Sequence, residues 1–242
     1  MQANEIASLF LSLGNPAQAH HLARFFKTGE GEYGYGDKFL GIRVPDTRKI
    51  VRKYKEAVSI DDCNTLIKSE WHEIRLAGFL LLIELYKRAK KTGNDADVRK
   101  IVNTYIDHIP YGNNWDLVDL VCAYILGDWL IDHPMQRDIL YRFADKEDSL
   151  WHQRVAIVST LSLIRAGQYS DTIRISQKFL THKHDLIHKA TGWMLREMGK
   201  RGGYDELIAF LDRHATSMPR TALRYSIERL PEDLRRYYLK KK

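Results

Sequence analysis

Residues 184–203, HDLIHKATGWMLREMGKRGG, decide the reading of the fold. The stretch has an acidic start, an apolar middle, a basic end and a glycine stop, which is the charge order a helix dipole favours. Residues 148–167, DSLWHQRVAIVSTLSLIRAG, follow the same plan. Residues 69–93, SEWHEIRLAGFLLLIELYKRAKKTG, also run to a basic last turn and stop at Gly93. In residues 44–58, VPDTRKIVRKYKEAV, Pro45 stands near the first helical position, and Ile50, Val51 and Tyr54 fall at helical spacing. No segment alternates strictly enough to predict a strand. The glycine-rich KTGEGEYGYGDKFLG, residues 27–41, is the one clear long loop.

These similar helices repeat. Arg75, Asp116, Arg154, Lys189 and Arg224 occupy comparable places, 41, 38, 35 and 35 residues apart. Each interval holds a second, shorter helical segment, such as MQRDILYRFAD or DTIRISQKFLTH. A helix pair every ~35–45 residues is the period of HEAT-like arrays, whose units cannot bury their apolar faces alone and therefore stack. The sequence thus predicts an all-α, HEAT-like helical-repeat solenoid, one domain over residues 1–242, with a concave face suited to a long partner. A generic helical bundle is the competing arrangement.

Composition narrows the function. Lys plus Arg is 38 against 31 for Asp plus Glu, a formal charge of +7, and the isoelectric point is near 9.3. That excess points to a polyanionic partner, nucleic acid first. The two cysteines, Cys63 and Cys122, form neither a disulfide scaffold nor a zinc-finger pattern. The N-terminus lacks a basic n-region and a long apolar run, and runs such as GFLLLIELY are too short to span a bilayer. A cytoplasmic protein without a membrane partner is expected.

One stretch breaks the apolar pattern. PYGNNWDLVDLVCAYILGDWL, residues 110–130, reads as a helix with apolar residues on almost every side, yet Asp119 sits within it. Asn114 can cap this helix, and Asp116 is then an early-turn acid that the dipole explains. Asp119 lies further in, four residues after Trp115 and on the same face. An ionised carboxylate in apolar surroundings needs a cation or several donors. Arg154, on the next repeated helix, is the natural candidate, and Trp193, one repeat further on, could line the same concavity. The competing reading is an Asp–Arg bridge between solenoid helices with a core tryptophan. Trp71, Trp129 and Trp151 are assigned to packing.

Taken together, GDKFLGIRVPDTRKIVRKY, NNWDLVD, LWHQRVAIVST and HKATGWMLREMGK resemble the AlkD-type DNA alkylation repair enzymes, the HEAT-like-repeat DNA glycosylases. The resemblance runs from about residue 20 to about residue 230, with the motifs in family order. It implies that Asp119 is the catalytic carboxylate, that Trp115 packs beside the lesion nucleotide, that Arg154 is the active-site arginine and that Trp193 is the second aromatic. One departure stands out. Some members carry a tyrosine in the first helices near the cleft, where this chain reads ARFFK, with Phe25 and Phe26.

The chemistry implied is release of a purine alkylated at N3 or N7. Such a base already carries positive charge and leaves neutral, so no general acid is needed. Charge instead builds on the deoxyribose, giving an oxocarbenium-like centre that a fixed carboxylate stabilises. The partner is double-stranded DNA carrying alkylated bases, the chain is expected to act as a monomer, and no cofactor is called for. Lys189, Arg196, Lys200 and Arg224 are the candidate phosphate contacts, in a C-terminal segment (residue 196 onwards) with twelve Lys or Arg and seven Asp or Glu. THKHDLIH sets His184 and His188 four apart with His182 nearby, but two histidines at that spacing occur by chance, so no metal site is assigned. The alternative to the enzyme is a non-catalytic HEAT-like module that binds DNA of unusual or branched structure.

Overall fold

The structure, a computed structural model, describes residues 2–241. Among the described residues there are helices and turns and no strand, with one isolated bridge between Lys38 and Trp71. The all-α repeat fold expected from the sequence is therefore what the chain adopts. The chain falls into two compact units, Met1–Val121 and Cys122–Lys242.

The first unit contains α1 (Gln2–Ser12), α2 (Pro16–Phe25), α3 (Val44–Tyr54), α4 (Ile60–Ile67), α5 (His72–Thr92), α6 (Asp95–Asp107) and α7 (Trp115–Asp119). Helix α5 is its axis, packed by α3, α4 and α6. Its residues from His72 to Ile83 are all buried, which is why this segment carries apolar residues on every side. It ends at Gly93, in the left-handed conformation, as the glycine stop predicts. Helix α4 starts with a capping box in which Ser59 and Asp62 satisfy each other's backbone N–H. The Asp62 carboxylate also accepts from the Ala3 N–H at 3.0 Å, tying α1 to α4.

The second unit contains α8 (Asp128–Asp132), α9 (Asp138–Ala144), α10 (Leu150–Val158), α11 (Thr160–Arg165), α12 (Ser170–Lys178), α13 (Asp185–Lys200), α14 (Tyr204–His214), α15 (Arg220–Ser226) and α16 (Glu232–Lys240). Helix α13, the stretch that sets the repeat, packs on α10, α14 and α15. Ile187, Ala190, Met194, Leu195 and Met198 are its fully buried face, and each large side chain there contributes about 1.5–3 kcal/mol by leaving water. Gly192 permits the closest approach: a Cβ there would lie 2.4 Å from the Ala222 carbonyl of α15.

The repeat positions hold. Arg75, Asp116, Arg154, Lys189 and Arg224 lie on α5, α7, α10, α13 and α15, with α6, α9, α12 and α14 in the intervals. Two predicted helices are broken. Residues 148–167 divide at Ser159 into α10 and α11. There the Ser159 carbonyl abuts Gly127, where a Cβ would sit only 2.2 Å from the oxygen. Residues 110–130 are not one helix. A 3₁₀ turn (Ile109–Tyr111) ends at Gly112, Asn114 restarts the chain in an extended conformation, and α7 lasts five residues. A π-helical turn (Ala123–Gly127) follows, in which the Gly127 N–H reaches the Cys122 carbonyl at 2.9 Å. Such turns accommodate an extra residue that the regular ladder cannot. Cys63 and Cys122 are buried and form no disulfide, and burial pushes the Cys63 thiol up to about 12.

Candidate active-site cleft

Helix α7 is too short to be stable by its own ladder, so its position is set by its first residues. The Asn114 side chain accepts from the Trp115 N–H at 2.9 Å and donates to the Phe26 carbonyl at 3.2 Å. One buried asparagine thereby joins the start of α7 to the end of α2, 88 residues away. The join gathers aromatic rings. Phe26 lies tilted against Trp115 with centroids 5.2 Å apart, and Phe25 meets Trp115 edge-on at 6.0 Å. Phe39 stacks on Phe26 at 5.2 Å.

These rings wall a cleft of about 610 Å³ in the first unit. Asp119 lines it at the far end of α7, half-buried, one helical turn from Trp115 as the spacing requires. Phe25 is 58% exposed at its rim. The stretch where the sequence departs from the family pattern is thus part of the cleft wall, with two apolar rings and no hydroxyl. Gln18, Leu22 and Arg43 continue the wall.

Beneath the rings is a charged network that the sequence reading did not find. Asp116, treated there as a dipole-stabilising acid, is only 5% exposed. Its Oδ2 lies 3.0 Å from Nε2 of His72, the first residue of α5. The other ring nitrogen, Nδ1, lies 2.7 Å from Asp37 Oδ2. Arg75 donates to Asp37 Oδ1, to Asn113 Oδ1 at 2.9 Å and to the carbonyls of Ser69 and Glu70. Burial disfavours the charged ring of His72, but the two carboxylates outweigh it and raise its pKa to about 9. Burial likewise opposes the charge on Asp37, and His72 with Arg75 overcomes this and holds its carboxyl below the ordinary value. Close by, the buried Glu73 accepts from the backbone N–H groups of Leu40, Gly41 and Ile42 at 2.9, 2.8 and 3.1 Å. This fixes the end of the glycine-rich loop where it enters α3.

The other predicted site residues belong to the second unit. Arg154 is on α10, 5% exposed, and donates to the Leu186 carbonyl in the first turn of α13. Trp193 is half-buried on α13. Among the candidate phosphate contacts, Arg196 and Lys200 come together in a hollow of about 330 Å³ with Tyr204 and Arg229. Arg229 was not singled out from the sequence. Arg196 also pairs with Glu228. Lys189 pairs with Asp185 at 2.8 Å, and Arg224 is exposed on α15. In THKHDLIH the ring nitrogens have protein partners: His182 Nδ1 accepts from the His184 N–H at 3.0 Å, His182 Nε2 lies 3.0 Å from Gln153 Oε1, and His184 Nδ1 caps α13 by accepting from the Leu186 N–H at 3.1 Å.

A family model for DNA alkylation repair enzymes matches residues 6–230. The chain belongs to that family. Membership supports an enzyme's role in DNA repair, and with it DNA as the partner. Among solved structures, a "Predicted DNA alkylation repair enzyme from Enterococcus faecalis" is similar in fold, with a TM-score of 0.69 at 18% identity over 90% of this chain and 97% of that one. No curated protein sequence matches the chain. Among the described residues, no helix is long and apolar enough to cross a membrane.

Proposed function

We propose that the chain is a monofunctional DNA glycosylase that hydrolyses the N-glycosidic bond of cationic alkylated purines, N3-alkyladenine and N7-alkylguanine, in double-stranded DNA. The observation that carries this reading is the placement of Trp115 and Asp119 on one face of α7, in an aromatic-walled cleft. A carboxylate in low-polarity surroundings exerts a strong field on a cation formed in front of it. Asp119 would stabilise the oxocarbenium-like sugar and position water. The Trp115 face would attract the cationic base or the sugar, worth about 0.5–2 kcal/mol. By the family resemblance, Arg154 would serve as a phosphate contact and Trp193 as the second aromatic. Lys189, Arg196, Lys200 and Arg224 would neutralise backbone phosphates. The family match crosses the boundary at Val121, which supports residues 1–242 acting as one functional domain, and the chain would act as a monomer.

One observation favours the alternative of a non-catalytic module for DNA of unusual or branched structure: Arg154 is buried and bonded to a backbone carbonyl, as a structural arginine would be. Incubation with duplexes carrying N7-methylguanine, N3-methyladenine or uracil separates the two. The enzyme releases both methylated purines and ignores uracil, because only the cationic bases leave without protonation. Tight binding with no release of any base would establish the alternative, and efficient uracil release would contradict both the proposed specificity and the proposed chemistry.

A further inference from the structure

We propose that His72 is a positioning residue for the cleft: as a doubly protonated imidazolium bridging Asp37 and Asp116, it fixes the first turn of α7 and through it Trp115 and Asp119. This rests on the reading that those two residues act on the substrate.

The geometry favours the charge. Both ring nitrogens face carboxylate oxygens, at 2.7 and 3.0 Å. An ionised carboxylate only accepts hydrogen bonds, so a neutral ring would turn a bare lone pair towards one of them. The ring is 2% exposed, so water cannot relieve that clash. Two buried anions and two buried cations, Asp37, Asp116, His72 and Arg75, then sum to zero, the condition under which a buried set is tolerated. Phe39 stacks on the His72 ring with centroids 4.3 Å apart, an arrangement that favours a cation.

The roles within the set differ. Asp37 is held twice, by His72 and by Arg75. Asp116 depends on His72 alone: its other oxygen, Oδ1, is buried with no hydrogen-bond partner among the described residues. Asp116 follows Trp115 directly and stands one turn before Leu120, whose N–H bonds to the Asp116 carbonyl at 3.1 Å. A shift of Asp116 would therefore move both ends of a five-residue helix. A second route runs through the rings, from His72 to Phe39, Phe26 and Trp115, each within about 5 Å of the next. Other charged or titratable groups facing this region are Asp119 on α7, Glu73 on α5, His21 on α2 and Arg43 at the start of α3, all lining the same cleft. Glu73 is engaged by three backbone N–H groups, which leaves Asp116 as the carboxylate that His72 holds on α7.

Three readouts test the clamp. In wild-type protein labelled with ¹⁵N-histidine, the His72 ring, assigned by its loss in His72→Gln, shows two protonated nitrogens at pH 7.5. A single neutral tautomer would overturn the proposal. In protein labelled with 5-fluorotryptophan, the Trp115 resonance, assigned with Trp115→Phe, shifts or broadens in His72→Gln, and an unchanged resonance would overturn it. In single-turnover release of N7-methylguanine, His72→Gln slows the chemical step by about 10–100-fold, the usual effect of losing a partner that orients an active group, while DNA affinity stays within about twofold. An unchanged rate would overturn it. If the wild type releases no base, the glycosylase reading fails and the two spectroscopic readouts still decide the clamp. Should His72→Gln not fold, Asp37→Asn, which frees the ring from the loop side, replaces it in the fluorine and kinetic experiments.

Discussion

Replacing Glu73 by Gln tests how the cleft wall is held in place. The Glu73 side chain is 2% exposed and its two oxygens accept from three consecutive backbone N–H groups, those of Leu40, Gly41 and Ile42. Glutamine is nearly the same size, so no cavity forms. Its amide, however, offers one acceptor oxygen and one donor nitrogen where the site presents only donors. At least one N–H is then left buried and unpaired, at about 1–3 kcal/mol, and the remaining bonds lose their charge assistance, about 1 kcal/mol each. The sum is about 3–5 kcal/mol. For a chain of this length each kcal/mol moves the midpoint by roughly 2–4 °C, so a fall on the order of 10 °C is expected. Thermal and urea unfolding followed by circular dichroism measure it. Glu70→Gln serves as the control: Glu70 pairs with Lys38 at 2.7 Å, but both side chains are more than half exposed, and such pairs contribute less than about 1 kcal/mol. A loss below about 1 kcal/mol in Glu73→Gln would refute the view that this carboxylate anchors the loop.

Two further outcomes follow from the charged groups. His72 has its pKa raised from 6.5 to about 9, so its contribution to stability is fully present below about pH 6.5 and is lost as pH rises through about 9. The contribution is at most about 3 kcal/mol. Denaturant unfolding between pH 6 and pH 10 should show this alkaline decline in wild type and a flatter profile in His72→Gln. Lys200→Ala should weaken DNA binding and reduce the slope of log affinity against log salt by about one. An unchanged slope in binding titrations would remove Lys200 from the phosphate contacts.

The fold was largely legible because it rests on local signals. Charge order, helical spacing and glycine stops are written within each segment, and Arg75, Arg154, Lys189 and Arg224 sit on helices at the spacings that the repeat demanded. Where the reading failed, distant backbone decided. The break at Ser159 depends on its approach to Gly127, and α7 is bounded by a cap whose second bond reaches Phe26. Neither is visible in a periodic pattern. Trp115 and Asp119 were legible because their four-residue spacing survives even a five-residue helix. The network beneath them was not. Asp116 looked sufficiently explained by its place near a helix start, while its partner His72 is 44 residues away and Asp37 lies 35 residues before that histidine. A buried polar residue at a helix N-terminus whose only assigned role is the dipole is the signal that could have found it. In the same way, the departure at Phe25 and Phe26 is visible in the sequence, but that both rings wall the cleft is visible only in the fold.

The most direct test of the central claim is release of N7-methylguanine from methylated duplex DNA by wild type and by Asp119→Asn. Under single-turnover conditions, and with the variant shown to be folded and to bind DNA as wild type does, the account predicts release by wild type and a rate lower by roughly a hundredfold to a thousandfold in the variant. Equal rates would contradict the assignment of Asp119, and no release by either protein would contradict the glycosylase itself.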